Sequence, residues 1–280
     1  MRTRDKIISK VKSNYWRTSH KFGIRVPKTV KEAYEIDKET GTDFWTKAIE
    51  KEMTNVRIAF EKLKGISVEQ MKSGKIKPGY KEAELHMIFD IKMDGKFTRK
   101  ARLVAGGHKL SPPSSITYSS VVARDSVRLA FLMAALNDLD ILACDIGNAY
   151  LNAKCREKLW TTAGPEFVNE QGSVMLIVRA LYGLKSSGAA WRSKLADTLM
   201  DMGYTPSESD RDVWMKRCQK ANGTDYYKYI LCYVDDILHL MERGDDSDMK
   251  EIGKHFFKVV LDHPRGIWVQ ILIKFRQPMV

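Results

Sequence analysis

Tyr229-Ile230-Leu231-Cys232-Tyr233-Val234-Asp235-Asp236-Ile237-Leu238 is the stretch on which the reading of this chain turns. Two apolar, β-prone runs, Tyr226–Val234 and Ile237–Met241, meet at a pair of adjacent carboxylates. Desolvating an ionised carboxylate is costly unless its charge is compensated. Two side by side also repel, which raises at least one pKa. Divalent cations remove both penalties, and Mg²⁺ takes oxygen ligands in octahedral geometry. A solvent-exposed Asp-Asp turn is the alternative for this segment taken alone.

Upstream, Leu142-Ala143-Cys144-Asp145-Ile146-Gly147-Asn148-Ala149-Tyr150-Leu151 repeats the pattern with one acid at the end of an apolar run, Ile141–Ile146. By itself Asp145 reads more readily as a strand-ending cap. One acid from one strand and two from a hairpin can together form a three-carboxylate site. Such a site can hold two metals ~3.5–4 Å apart and suits in-line phosphoryl transfer.

The surrounding pattern mixes strands and helices without regular βαβ alternation, which predicts an α+β or mixed architecture. A helix capped by Thr42 or Asp43 is predicted from Trp45, Ile49, Met53, Val56, Phe60 and Leu63, at steps of three or four. Residues 65–80 read as a loop. Leu85–Lys92 and Phe97–Ala105, joined by Met93-Asp94-Gly95-Lys96, read as a hairpin. A helix capped by Asp125 should run to Leu136, and residues 153–172 read as irregular. Val174–Arg179 is a strand, and Gly188–Met202 is a helix stopped by Gly203.

Composition narrows the class. The chain has 280 residues and a net charge of +12, an excess that favours polyanionic partners through counterion release. Residues 1–28 carry nine Lys or Arg against the single Asp5, with Tyr15 and Trp16 among them, and read as a basic arm or linker. Cys144, Cys155, Cys218 and Cys232 lack zinc-ligand spacing. The longest apolar stretch near the middle, Leu129–Leu136, is far short of the ~20 residues that span a bilayer. No apolar run follows the basic N-terminus as in a signal peptide, so the expectation is an intracellular protein, in a cytoplasmic particle or the nucleus.

The motifs resemble those of copia-type retrotransposon reverse transcriptases, a family with Asp-x-x-x-Ala-(Phe/Tyr)-Leu followed by Tyr-Val-Asp-Asp. Here these are Asp145…Ala149-Tyr150-Leu151 and Tyr233-Val234-Asp235-Asp236. Further family motifs match in order. They are Trp45 with Glu52-Met53, Lys100-Ala101-Arg102-Leu103-Val104-Ala105, Tyr118-Ser119-Ser120-Val121-Val122 with Ser126-Val127-Arg128, and Leu181-Tyr182-Gly183-Leu184-Lys185 with Ala190-Trp191.

The resemblance implies a right-hand polymerase fingers–palm over residues 29–262, with mostly antiparallel sheet, packed helices and no thumb. It implies RNA-directed DNA synthesis: transfer of a nucleotide from dNTP to a primer 3′-OH on an RNA or DNA template. Asp145, Asp235 and Asp236 would be catalytic and would hold two Mg²⁺ (or Mn²⁺) ions, with the Ile146 carbonyl a further ligand. Lys100 and Arg102 would grip the triphosphate, Tyr150 would exclude a ribose 2′-OH, and Gly183 would line the nucleotide pocket. The usual partner domains of a Pol polyprotein, RNase H and integrase, have no motif here, and no membrane partner is expected.

The chain departs from the common family pattern at Ser186, Gly188 and Ala189, where Gln, Pro and Arg are usual, and at Gly106, where a basic residue is. Residues 263–280 lack the family's Tyr-Leu-Gly strand. One allowed codon set for Ile267–Lys274 gives that strand in a neighbouring frame, so a frameshift near Gly266 is expected. The competing expectation is an inactive nucleic-acid-binding remnant. A two-metal nuclease needs similar acids but lacks the motif order.

Overall fold

A computed structural model of the chain describes residues 19–111, 113, 117–256 and 259–262. The tail of 263–280, with its expected frameshift, and residues 1–18 of the basic arm lie outside them. In chain order the elements are β1 (His20–Lys21), β2 (Ile24–Arg25), α1 (Val30–Thr40), α2 (Phe44–Val56), β3 (Phe60–Lys62), α3 (Val68–Lys72), β4 (Lys81–Glu82), β5 (Leu85–Ile91) and β6 (Arg99–Ala105). Then come α4 (Arg124–Leu136), β7 (Asp140–Ile146), β8 (Lys154–Thr162), β9 (Val174–Arg179), α5 (Ser187–Asp201), β10 (Thr205–Pro206), β11 (Val213–Gln219), β12 (Asp225–Tyr233), β13 (Asp236–Met241), α6 (Ser247–His255) and β14 (Val259–Asp262). The fold is mixed α+β with mainly antiparallel pairing, as expected. The described residues fall into two compact units, one within 1–112 and 157–185 and the other within 113–156 and 186–280.

In the first unit, α1 is capped by Thr29, whose hydroxyl accepts the Glu32 N–H at 3.1 Å, and closed by Gly41 at φ 64°. The start of α2 corrects the expectation of a Thr42 or Asp43 cap. The buried Asp37 carboxylate accepts the Trp45 and Thr46 N–H groups at 3.2 and 2.7 Å, whereas Asp43 makes no capping bond. Trp45 packs edge-on against Phe89, seating α2 on the β5–β6 hairpin.

Helix α2 also ends earlier than its apolar spacing suggests. Phe60 and Leu63 continue the helical spacing, yet Phe60–Lys62 pairs antiparallel with β9 and Phe60 packs edge-on against Phe167. Strand pairing and burial override a spacing that fits both periods. Within the expected 65–80 loop, Ser67 and Gln70 form a capping box that starts α3. Within the expected irregular 153–172 segment lies the nine-residue β8, hidden in the sequence by its charged outer positions Lys154, Arg156 and Lys158.

In the second unit the described residues form a six-stranded sheet in the order β10-β11-β12-β13-β7-β14, with all neighbours antiparallel. One face, with Ala143, Leu231, Leu238 and Leu240, packs on Val127, Ala130 and Ala134 of α4. The other, with Cys144, Ile146, Ile230 and Ile237, packs on Trp191, Leu195 and Leu199 of α5 and Met249 and Ile252 of α6. Alternation along β7 and β13 therefore serves two cores at once. The start of α4 is another correction. Asp125 pairs with Arg128, and Asp210 instead accepts the Ala123 N–H at 2.9 Å and the Ser126 hydroxyl at 2.6 Å.

Beneath α6 lies a buried ionic cluster. Lys228 meets Asp245 at 2.6 Å and Asp248 at 2.7 Å, and Asp248 also meets Lys216 at 3.2 Å and the Tyr204 hydroxyl at 3.1 Å. His239 is wholly buried, 3.7 Å from Asp248, but burial outweighs that carboxylate and pushes the imidazole down to about 4. The ring is therefore neutral near pH 7 and not an ion-pair partner. Among the described residues no helix is long and apolar enough to cross a membrane.

Candidate active site

Tyr233 pairs with Asp236, so β12 and β13 are joined by a two-residue turn, Val234-Asp235. Such turns favour φ > 0 at their first central residue, a place usually taken by Gly. Here it is Val234, at φ 59°. A β-branched residue in that region costs on the order of 1–3 kcal/mol and persists only where its surroundings hold it. Two backbone acceptors of the turn are held. The Trp191 indole N–H donates to the Val234 carbonyl at 2.7 Å, and the Ile146 N–H donates to the Asp235 carbonyl at 2.9 Å.

Strand β13 runs antiparallel to β7 with Asp236 directly opposite Asp145. Residues so opposed have Cα atoms ~4.5–5.5 Å apart and send their side chains to the same face. That face is the one covered by α4 further along the sheet, and Asp145 lies exposed beyond that cover. Asp145 and Asp235, 90 positions apart in sequence, are thus brought together by neighbouring strands. Ile146, the fourth expected ligand through its carbonyl, is fully buried and borders the α5 core.

The electrostatics follow from this placement. Burial first, then Asp235 and Asp145, push the Asp236 carboxyl up to about 6. Burial, with Asp145 and Asp236, pushes the Cys144 thiol up to about 12. A carboxylate group this hard to keep ionised fits a divalent cation, which supplies the missing charge. The acids are adjacent rather than gathered: among the described residues no three His, Cys, Asp or Glu side chains converge as a ready metal cage.

Tyr150 lies just past β7. Asn148 takes the left-handed conformation at φ 55°, and a 3₁₀ turn over Ala149–Asn152 follows. It leaves Tyr150 half-buried against the core that contains Trp191 and Ile146. Its ring is therefore partly a core aromatic and partly exposed.

The remaining expected residues lie in the first unit and come together there. Along β6, Ala101, Leu103 and Ala105 point inward, while Lys100 is exposed and Arg102 half-buried on the other face. The Arg102 guanidinium stacks 4.2 Å over the Tyr182 ring. The Ala105 N–H donates to the Tyr182 carbonyl at 2.8 Å, bringing the Tyr182-Gly183 turn onto the end of β6. Gly183 has φ 91°, and a Cβ there would meet the Ala105 carbonyl oxygen at 2.1 Å and Val104 Cγ1 at 2.7 Å. No residue but glycine fits that approach. Behind β6, Glu52 of α2 accepts the Leu103 N–H at 2.9 Å, closing an edge that β5 leaves open.

Sequence reasoning missed three contributors: Trp191 as a partner of the turn, Tyr182 as the platform for Arg102, and Glu52 as a cap for the β6 edge. Trp191, Tyr182 and Glu52 stand in the matched motifs, but their bonding partners are distant in sequence.

Comparison with known proteins matches residues 75–262, two thirds of the chain, to the family described as reverse transcriptase (RNA-dependent DNA polymerase). Similar curated proteins include the retrovirus-related Pol polyproteins from transposons RE1 and RE2 of Arabidopsis thaliana, 32% and 31% identical over 150 residues, or 52% of this chain. The Pol polyprotein from transposon TNT 1-94 of Nicotiana tabacum is 30% identical over 193 residues, 62% of this chain. The chain spans only 10–14% of the length of these relatives. With the ordered motifs and the matched residues together, this chain belongs to the reverse transcriptase family of copia-type retrotransposon Pol polyproteins.

Proposed function

We propose that this chain is the fingers–palm part of an RNA-directed DNA polymerase, with residues 29–262 as its body and the first 28 residues as a basic arm. The observation that carries the reading is the opposed register of Asp145 and Asp236, with the Asp235 carbonyl tied to the Ile146 N–H. Asp145, Asp235 and Asp236, with the Ile146 carbonyl, would hold two Mg²⁺ or Mn²⁺ ions. When bound, such ions lower the charge cost of bringing a primer 3′-OH and an α-phosphate together.

The chain's own residues supply the rest. Lys100 and Arg102 share the outward face of β6, and Tyr182 orients Arg102, an arrangement suited to a triphosphate. Gly183 lets the backbone of its turn approach that face closely. Tyr150 would bar a ribose 2′-OH. Positioning and charge neutralisation would provide most of the rate. A template of RNA or DNA would be held through its backbone and read by base pairing, within a cytoplasmic particle or the nucleus. RNase H and integrase domains of a longer polyprotein would be its natural company.

The test is Mg²⁺-dependent incorporation of a single dNTP on a homopolymer template–primer by the purified chain. Asp236→Asn should abolish incorporation while template–primer binding persists. Salt-dependent binding without incorporation by the wild type would instead support the inactive-remnant reading.

A further inference from the structure

We infer that Trp191 is a positioning residue for the catalytic turn, acting through its indole N–H rather than through its bulk. The inference rests on the polymerase reading of the three acids. Trp191 is 1% exposed, and its single donor goes to the carbonyl of Val234, the strained residue immediately before Asp235. A left-handed valine relaxes unless something fixes its peptide units. The bond from Ile146 holds the carbonyl of the next residue, and the bond from Trp191 holds that of Val234 itself.

The neighbouring Arg192 reinforces the same arm. Its Nε donates to Asp212 at 2.8 Å, and the Asp212 carbonyl accepts the Cys232 N–H at 2.9 Å. Two successive residues of α5 thus grip the hairpin, one at the turn and one through the β11 side. Helix α5 is itself fixed, since Trp191 packs edge-on against Phe256 at 5.0 Å and Leu195 and Leu199 are buried in the same core. With the donor removed, the turn keeps its strain but loses the one of these two restraints that holds the strained residue itself. Asp235 and Asp236 then sample positions from which catalysis fails, because small misplacements are costly in rate.

The experiment compares the full chain with Trp191→Phe, which keeps a ring in the core but no donor, and with Phe256→Leu, which loosens the same packing but leaves the donor. Amide hydrogen exchange at Ile146, Asp236 and Ile237 is the first readout, and single-nucleotide kinetics are the second. Trp191→Phe should speed exchange at these amides about tenfold without doing so along α4. It should also lower kcat on the order of 10- to 100-fold with KM for dNTP changed less than about twofold. Phe256→Leu should do neither.

Unchanged exchange in Trp191→Phe overturns the inference. So does an unchanged kcat, or an equal effect from Phe256→Leu. A wild type that incorporates no nucleotide counts against the polymerase reading instead, and the exchange data alone then decide the role of Trp191. If Trp191→Phe does not fold, replacing Trp191 by 3-benzothienylalanine, which keeps the indole volume but lacks the N–H, decides it by the same two readouts: faster exchange with lower kcat supports the inference and unchanged values overturn it.

Discussion

Replacing Lys228 by Met should destabilise the second unit by about 3 kcal/mol at pH 7 and by less in acid. Lys228 is 7% exposed and is shared by Asp245 and Asp248 at 2.6 and 2.7 Å. Removing one partner of a buried pair costs ~3–5 kcal/mol, because the other charge stays buried. Asp248, 8% exposed, keeps Lys216 and the Tyr204 hydroxyl, and Asp245, 30% exposed, can rehydrate, so the lower end applies. Against a total stability of ~5–15 kcal/mol this is a large loss. It corresponds to a drop in Tm of roughly 6–12 °C for a unit of this size.

The pH dependence gives the sharper check. Burial alone would push Asp245 and Asp248 up and pull Lys228 down. The ion pairs outweigh it, holding Asp245 at about 2, Asp248 below the usual carboxylate range and Lys228 above the usual lysine range. A depressed carboxylate contributes stability that is fully present above the unfolded value of ~3.9 and is lost as pH falls through the folded value. In Lys228→Met, Asp248 keeps its burial, loses its nearest cation and protonates at higher pH. The variant's deficit should therefore narrow between pH 7 and pH 4. Urea melts of both proteins at pH 7, 5.5 and 4 measure it. A deficit under about 1 kcal/mol at pH 7, or one that widens in acid, would refute the reasoning.

Two further outcomes concern the first unit. Gly183→Ala forces a Cβ against the Ala105 carbonyl at a φ of 91° and should cost about 3 kcal/mol or more, read as loss of proteolytic protection over residues 85–105. Glu52→Ala strands the Leu103 N–H and should cost ~1–3 kcal/mol with faster exchange at that amide, whereas Glu52→Gln keeps an acceptor and most of the stability. Equal losses from both Glu52 variants would mean that the bond to Leu103 is not what matters.

Where the sequence carried a strong local signal, it was read correctly. The Asp94-Gly95 hairpin, the helix ending near Leu136 and the α5 helix stopped by Gly203 all stand within a residue or two of expectation. The misses share a cause. Phe60–Lys62 became a strand because its partner β9 lies more than a hundred residues on, and β8 was masked by its charged edge. The caps of α2 and α4 come from Asp37 and Asp210, which no local rule connects to those helices.

The sequence alone determined the chemistry on offer: three acids on apolar runs, a basic strand, an aromatic five residues past Asp145, and a family in which these occur together. Only the tertiary structure decided that Asp145 lies opposite Asp236, that Val234 is strained, and that Trp191 and Ile146 hold its turn. The division has a physical reason. Residue type and spacing encode local conformation and burial, while register and long-range hydrogen bonds arise only when distant segments pack and their polar groups must find partners.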